Sequence, residues 1–200
     1  MTDDKLYYDY ITEKNLPKTE DGLKNFQDDL EENGTFMLSL VEYLRYDKFG
    51  DDHLECHRLE DGRPRFGATG GGTLVSFIVD AQKHSVVVYC EGCDHEYEIT
   101  EGKTNNNVYD EITSDSLPSD PSELEAFEKK TYWSLRFKLN EVEFLRYRQF
   151  KKDVLADAEK NFRTPGTITV SFCPTGLGSL VSVSEAGSTL RYDITDSSNW

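Results

Sequence analysis

Positive charge is what this chain has least of: 22 Lys and Arg stand against 38 Asp and Glu in 200 residues, leaving a formal net charge of -16. That deficit disfavours a polyphosphate backbone or an anionic lipid surface as partner, because both repel a strongly acidic molecule. Sulfur is scarce as well. Four cysteines are too few for a disulfide scaffold, and they read as the reduced thiols of a cytoplasmic protein. No apolar run approaches the roughly 20 residues of a membrane helix. Met1-Thr2-Asp3-Asp4-Lys5 is not a basic segment leading into an apolar one, so the usual secretion signal is not expected either. Recognisable catalytic signatures are missing. Gly67 to Gly72 lacks the Lys and hydroxyl pair of a phosphate-binding loop and precedes a strand pattern instead of a helix pattern. There is no strand-helix-strand rhythm, which disfavours a doubly wound nucleotide-binding fold, and no internal repeat is read.

What is present supports one folded α+β domain over residues 1–200. The hydrophobic fraction is 36%, with eleven Phe, eleven Tyr and two Trp, enough for a core. Thr19 caps a helix whose inner face holds Leu23, Phe26 and Leu30. Asn33-Gly34 breaks it, and Thr35 opens a second helix with Met37, Leu38, Leu40, Val41 and Leu44 turned inward, giving an N-terminal helical hairpin. From Asp51 the chain alternates short β-branched and aromatic segments with turns, predicting strands near 53–59, 73–80, 84–90 and 94–100. Residues 101–122 hold too little apolar matter to pack and read as a mobile acidic loop, a point of possible subdivision of the domain. Asp120-Pro121 starts a short helix, and alternation from Trp133 to Leu139 predicts a strand. Asn140 with Glu143 then forms a capping box that opens an amphipathic helix over 141–162. Strands near 167–173, 179–184 and 189–194 complete a mostly antiparallel arrangement of two meanders, in one sheet or two.

Charge is unevenly spread. Residues 1–62 carry 17 acids and 7 bases, whereas residues 124–165 carry 7 acids and 10 bases, with Arg146, Arg148, Lys151 and Lys152 on the exposed side of the long helix. This basic side is expected to neutralise the acidic hairpin within the fold more than to bind nucleic acid.

Two functional readings follow. The first is a non-enzymatic interaction protein that meets a basic protein partner, as an inhibitor, immunity-type or adaptor protein does. Its recognition surface comprises Asp28, Asp29, Glu31, Glu32 and Glu42 of the hairpin with Asp110 and Glu111 of the loop. No cofactor belongs to this reading. The alternative is a zinc-binding or thiol-dependent protein built on Cys90-Glu91-Gly92-Cys93, since two thiolates at that spacing can converge on one ion. Two more ligands are needed, and the nearby set is His53, Cys56 and His57, of which Cys56 with His53 or His57 supplies them if that segment lies beside the hairpin. Against zinc, the usual knuckle has glycine after its second cysteine, where this chain has Asp94, and Glu91-Gly92 also suits a plain hairpin turn. Redox use is disfavoured because strands, not a helix N-terminus, flank the pair. Cys56 beside His57, or Cys173, could be drawn as a nucleophile, but neither sits in a recognisable nucleophile turn.

Overall fold

The structure is a computed structural model that describes residues 8–57, 73–79, 85–104, 106–175, 178–187 and 191–199. It is α+β, as expected. Helix α1 (Glu20–Asn33) leads into strand β1 (Thr35–Met37), helix α2 (Leu40–Asp52) and a 3-10 turn (Leu54–His57). Strands β2 (Thr73–Val79), β3 (Ser85–Cys90) and β4 (His95–Glu98) form the first meander. Helix α3 (Pro121–Thr131), strand β5 (Arg136–Lys138) and helix α4 (Glu141–Lys160) follow, then β6 (Ile168–Thr175), β7 (Gly178–Glu185) and β8 (Arg191–Asp193). The two meanders join through an antiparallel β2–β6 pair into one six-stranded sheet of order β4-β3-β2-β6-β7-β8, while β1 and β5 form a separate ribbon. No helix among the described residues is long and apolar enough to cross a membrane.

Four local expectations are corrected. The helical hairpin is present, but its second helix starts at Leu40, where Ser39 and Glu42 form the capping box, and not at Thr35, so residues 35–37 pair with β5 and Met37 is exposed. The predicted strand at 53–59 is instead a 3-10 turn over 54–57, with 58 and 59 outside the described residues, as are Gly67 to Gly72. Within 101–122, expected to hold too little apolar matter to pack, lie two 3-10 turns, Val108–Glu111 and Ser114–Ser116, and a buried Tyr109. Arg146, assigned above to the exposed basic side of α4, is only 7% exposed. Val142, Arg146, Phe150, Val154 and Ala158 are all buried, four residues apart on one helical face.

The expectation of no internal repeat is also overturned. Val41-Glu42-Tyr43-Leu44-Arg45-Tyr46 and Val142-Glu143-Phe144-Leu145-Arg146-Tyr147 lie 101 positions apart in equivalent helices. Ile11-Thr12 with Leu16-Pro17 matches Ile112-Thr113 with Leu117-Pro118 at the same spacing, and Tyr97-Glu98-Ile99-Thr100 matches Tyr192-Asp193-Ile194-Thr195 at a spacing of 95. The pairing registers show that the halves are related by a pseudo-twofold axis. In the ribbon Phe36 faces Phe137, its own counterpart, and in the sheet Ser76 faces Ser171, with Val75 opposite Phe172 and Phe77 opposite Val170. The serine hydroxyls hydrogen-bond across the axis at 2.8 Å. Beneath them Phe36, Phe77, Phe137 and Phe172 form a closed cluster, in which Phe36–Phe77 and its counterpart Phe137–Phe172 have centroids 5.3 and 5.4 Å apart.

Each half sends an arm across the axis onto the other. Arg45 of α2 donates through Nε to the Ile112 carbonyl at 3.0 Å and through Nη1 to the Ile99 and Thr100 carbonyls at 3.1 and 3.0 Å. Arg146 of α4 does the same in mirror, to Ile11 and Ile194, each at 3.2 Å, and to Thr195. Tyr8 packs on Phe150 and Tyr192 of the second half, and Tyr109 packs on Phe49 and Tyr97 of the first. The two arms, residues 8–16 and 106–117, are therefore exchanged, each pinned by a buried arginine that satisfies three carbonyls at once.

Candidate metal centre

The C-terminal end of α2 and the β3–β4 turn meet at one edge of the first half. His53 caps α2, its amide bonded to the Phe49 and Asp51 carbonyls, and its ring lies 4.2 Å from that of Phe49. The 3-10 turn that follows bonds the Cys56 amide to the His53 carbonyl at 3.0 Å, which turns both side chains to the same side. Cys90 ends β3, and in the ladder it faces His95, so Glu91 to Asp94 form a four-residue turn in place of the two-residue turn that Glu91-Gly92 suggested.

One ligand atom from each of His53, Cys56, Cys90 and Cys93 lies within 4.8 Å of the other three. Tetrahedral zinc with bonds of about 2.3 Å to sulfur would set its sulfurs roughly 3.8 Å apart, so a small contraction closes this set on an ion. The histidine already points inward, with Nδ1 3.1 Å from Cys93 Sγ and 3.8 Å from Cys56 Sγ. His53 and Cys90 are buried, Cys56 and Cys93 half-buried, and none of the four cysteines is in a disulfide.

Two backbone features suit thiolates. Asp94, the residue after the second cysteine, adopts φ of 61°, the left-handed conformation that glycine usually supplies there, and its amide bonds the Cys90 carbonyl at 2.9 Å. Its carboxylate accepts the Tyr89 hydroxyl at 2.7 Å and pushes that phenol up to about 12. Burial pushes the Cys90 thiol up, while amide hydrogen bonds from Cys93 and Gly92 act in the opposite direction by favouring its thiolate. Gly92 also makes room: a Cβ there would sit 2.3 Å from the Cys56 carbonyl oxygen, so only glycine lets the 3-10 turn approach the hairpin this closely. His95 is exposed, and its Nδ1 lies 3.2 Å from Cys93 Sγ.

The pseudo-twofold equivalents of His53, Cys56 and Cys90 are Val154, Asp157 and Glu185. Where the first half gathers sulfur and imidazole, the second gathers an ion-pair clamp. Arg163 bonds Asp157 at 2.7 Å and Glu185 at 2.5 and 2.9 Å, and Glu185 also accepts the Gly166 amide at 2.7 Å. The guanidinium holds the Glu185 carboxyl below its ordinary range, and the two carboxylates hold Arg163 above its own. In both halves this position ties the end of the long helix to the last β-hairpin.

The other candidate residues lie outside this cluster. Asp28, Glu32 and Glu111 are exposed. Asp29 pairs with Arg148 at 3.1 Å, and Glu31 pairs with Arg136 and Lys138 at 2.5 Å each, so these two neutralise bases within the fold. Glu42 is only 5% exposed and accepts the Ser39 and Glu101 amides, both at 2.9 Å. Asp110 accepts the Asn107 amide at 3.2 Å. Cys173 is buried in β6, and Cys56 faces the cluster. Sequence reasoning missed Gly92 as a steric requirement, Asp94 as the glycine substitute and Arg163 as the counterpart clamp. The alignment of the two halves, which sets Gly187 at the position of Gly92, was a signal for the first of these alone. No protein family, curated protein or solved structure matches the chain.

Proposed function

We propose that the protein binds one zinc ion through His53, Cys56, Cys90 and Cys93, and that the ion is structural. What supports the reading is the convergence of four donor atoms, each within 4.8 Å of the others, from two segments that are far apart in sequence. Three thiolates and one imidazole are a soft, tetrahedral donor set that favours zinc over magnesium or calcium. Four protein ligands leave no open position for a substrate, which is the pattern of a structural site. The counterpart position supports the same reading, because an arginine and two carboxylates there join the same two elements through ion pairs.

Elemental analysis of protein purified without chelator, together with cobalt substitution, tests this. The expected result is about one zinc per chain and a tetrahedral thiolate-cobalt spectrum that is lost in Cys90→Ser and Cys93→Ser but kept in Cys173→Ser. Protein that holds no zinc and takes up no cobalt under reducing conditions would end the proposal.

A second reading, contact with a basic protein partner, keeps the support of the exposed Asp28 and Glu32, which lie four residues apart on the outer row of α1. It needs no metal, so the two readings are independent. Glu42 is buried, and Asp29 and Glu31 are each paired with bases of the same chain.

A further inference from the structure

The metal centre lies directly beneath the docking floor of one exchanged arm. The ring of His53 stacks on Phe49, and Phe49 in turn contacts Tyr109 and Tyr97, with centroids 5.7 and 5.9 Å away. Tyr97 bridges the cluster to the arm, 6.3 Å from His95 and 5.2 Å from Tyr109. Burial, together with the carboxylate of Asp52, the residue before His53, pushes the Tyr109 phenol above its ordinary range. On the far side of the axis Tyr8 sits in the equivalent box of Phe150 and Tyr192, its hydroxyl donating to Asp153 at 2.9 Å. The floor of that second box is fastened by Arg163, Asp157 and Glu185.

One arm is thus held over a site that can lose its tie, the other over a tie the chain carries itself. We infer that zinc occupancy at His53, Cys56, Cys90 and Cys93 controls the docking of the 106–117 arm, while the 8–16 arm stays docked whether or not zinc is bound. This rests on the zinc reading above. When the four side chains are no longer held together, the 54–57 turn and the 91–94 turn separate. Phe49, His53 and Tyr97 then lose their fixed spacing, and the pocket for Tyr109 opens. Arg45 continues to hold the Ile112 carbonyl, so the release is a local opening and not global unfolding.

Hydrogen exchange on the full chain tests it, with the arm at 8–16 as internal control. Zinc-loaded protein is compared with protein stripped by a strong zinc chelator, with a non-thiol reductant keeping the cysteines reduced. Removal is expected to speed exchange in 106–117 by about tenfold or more, with 8–16 within about twofold of its loaded rate. Zinc-loaded Arg163→Ala is expected to reverse the pattern, loosening 8–16 and sparing 106–117. If zinc binds but its removal leaves 106–117 unchanged, or loosens both arms alike through general destabilisation, the inference fails and the zinc reading stands. If no zinc binds, both fail together.

Discussion

At the scale of single residues, the proposed centre is shaped by two positions that carry no ligand, Gly92 and Asp94. Gly92 and its counterpart Gly187 occupy equivalent turns for different reasons. A Cβ on Gly92 collides with the Cys56 backbone, whereas Gly187 has open space around it and a φ of 82°. Gly92→Ala should therefore push the 3-10 turn off the hairpin and weaken zinc binding by on the order of 10- to 100-fold, the range seen when groups supporting metal ligands are lost. Gly187→Ala should cost about 1 kcal/mol through backbone strain and leave zinc binding untouched. Competition against a chromophoric zinc chelator, with denaturant melts of both variants, distinguishes the two. Equal losses of zinc affinity would show that close approach at Gly92 is not what matters. Asp94 marks the limit of what the sequence made legible here. The Cys-x-x-Cys pair and the His53 and Cys56 candidates could be read off, but an aspartate where glycine was expected argued against zinc, because a residue's name does not disclose a left-handed φ.

At the scale of elements, the sequence disclosed most of what is periodic and little of what is reciprocal. The strands near 73–80 and 84–90, the cap at Thr19 and the capping box at Asn140 were readable from alternation and turn chemistry, which are local. The 54–57 turn and the 106–117 arm were not, because each is set by what it docks on. Arg45 and Arg146 are the clearest case. Each lies in a helix where spacing from its apolar neighbours puts it on the buried face, yet charge alone groups Arg146 with Arg148 and Lys151. Each arginine fixes one exchanged arm and the end of one meander, through the same three kinds of carbonyl. Lysine is a point donor on a flexible stem and cannot reproduce the fork, leaving buried carbonyls short of partners. Arg45→Lys and Arg146→Lys should each destabilise the protein by about 2–4 kcal/mol, alike to within about 1 kcal/mol because their networks are equivalent. Urea titrations of the two variants would report this, and a near-neutral Arg146→Lys would show that the arm is held by packing alone.

At the scale of the whole molecule, the sequence hides its symmetry behind a change of spacing from 101 to 95, which falls between the helical and sheet parts of each half. Identity survives in short blocks at the helix, the arm and the last strand, while the sheet keeps only its alternation of apolar and polar positions. The charge imbalance also reads differently once the halves are set side by side. Arg136, Arg148 and Arg163 pair with Glu31, Asp29 and Glu185 within the fold, which neutralises those carboxylates locally and leaves the net charge of -16 to the remaining acids. The axis runs between β1 and β5 and between β2 and β6, and both arms cross it, so neither half encloses its own core. Cleaving the chain in the exposed stretch near Thr104 and producing 1–104 and 105–200 together should therefore give a one-to-one complex that co-elutes on gel filtration. The fragments should bind more tightly than about 1 µM, because the surfaces shared are those of an obligate interface. Either fragment alone lacks the arm that covers its aromatic box and the strand that completes its sheet, and should show no cooperative thermal transition as a monomer. The alternative each fragment has is to pair with itself, since the axis joins equivalent surfaces and a half can in principle meet its own copy. Sedimentation of the separate fragments decides among these outcomes, and a monomeric fragment that melts cooperatively would show that the halves are independent units after all.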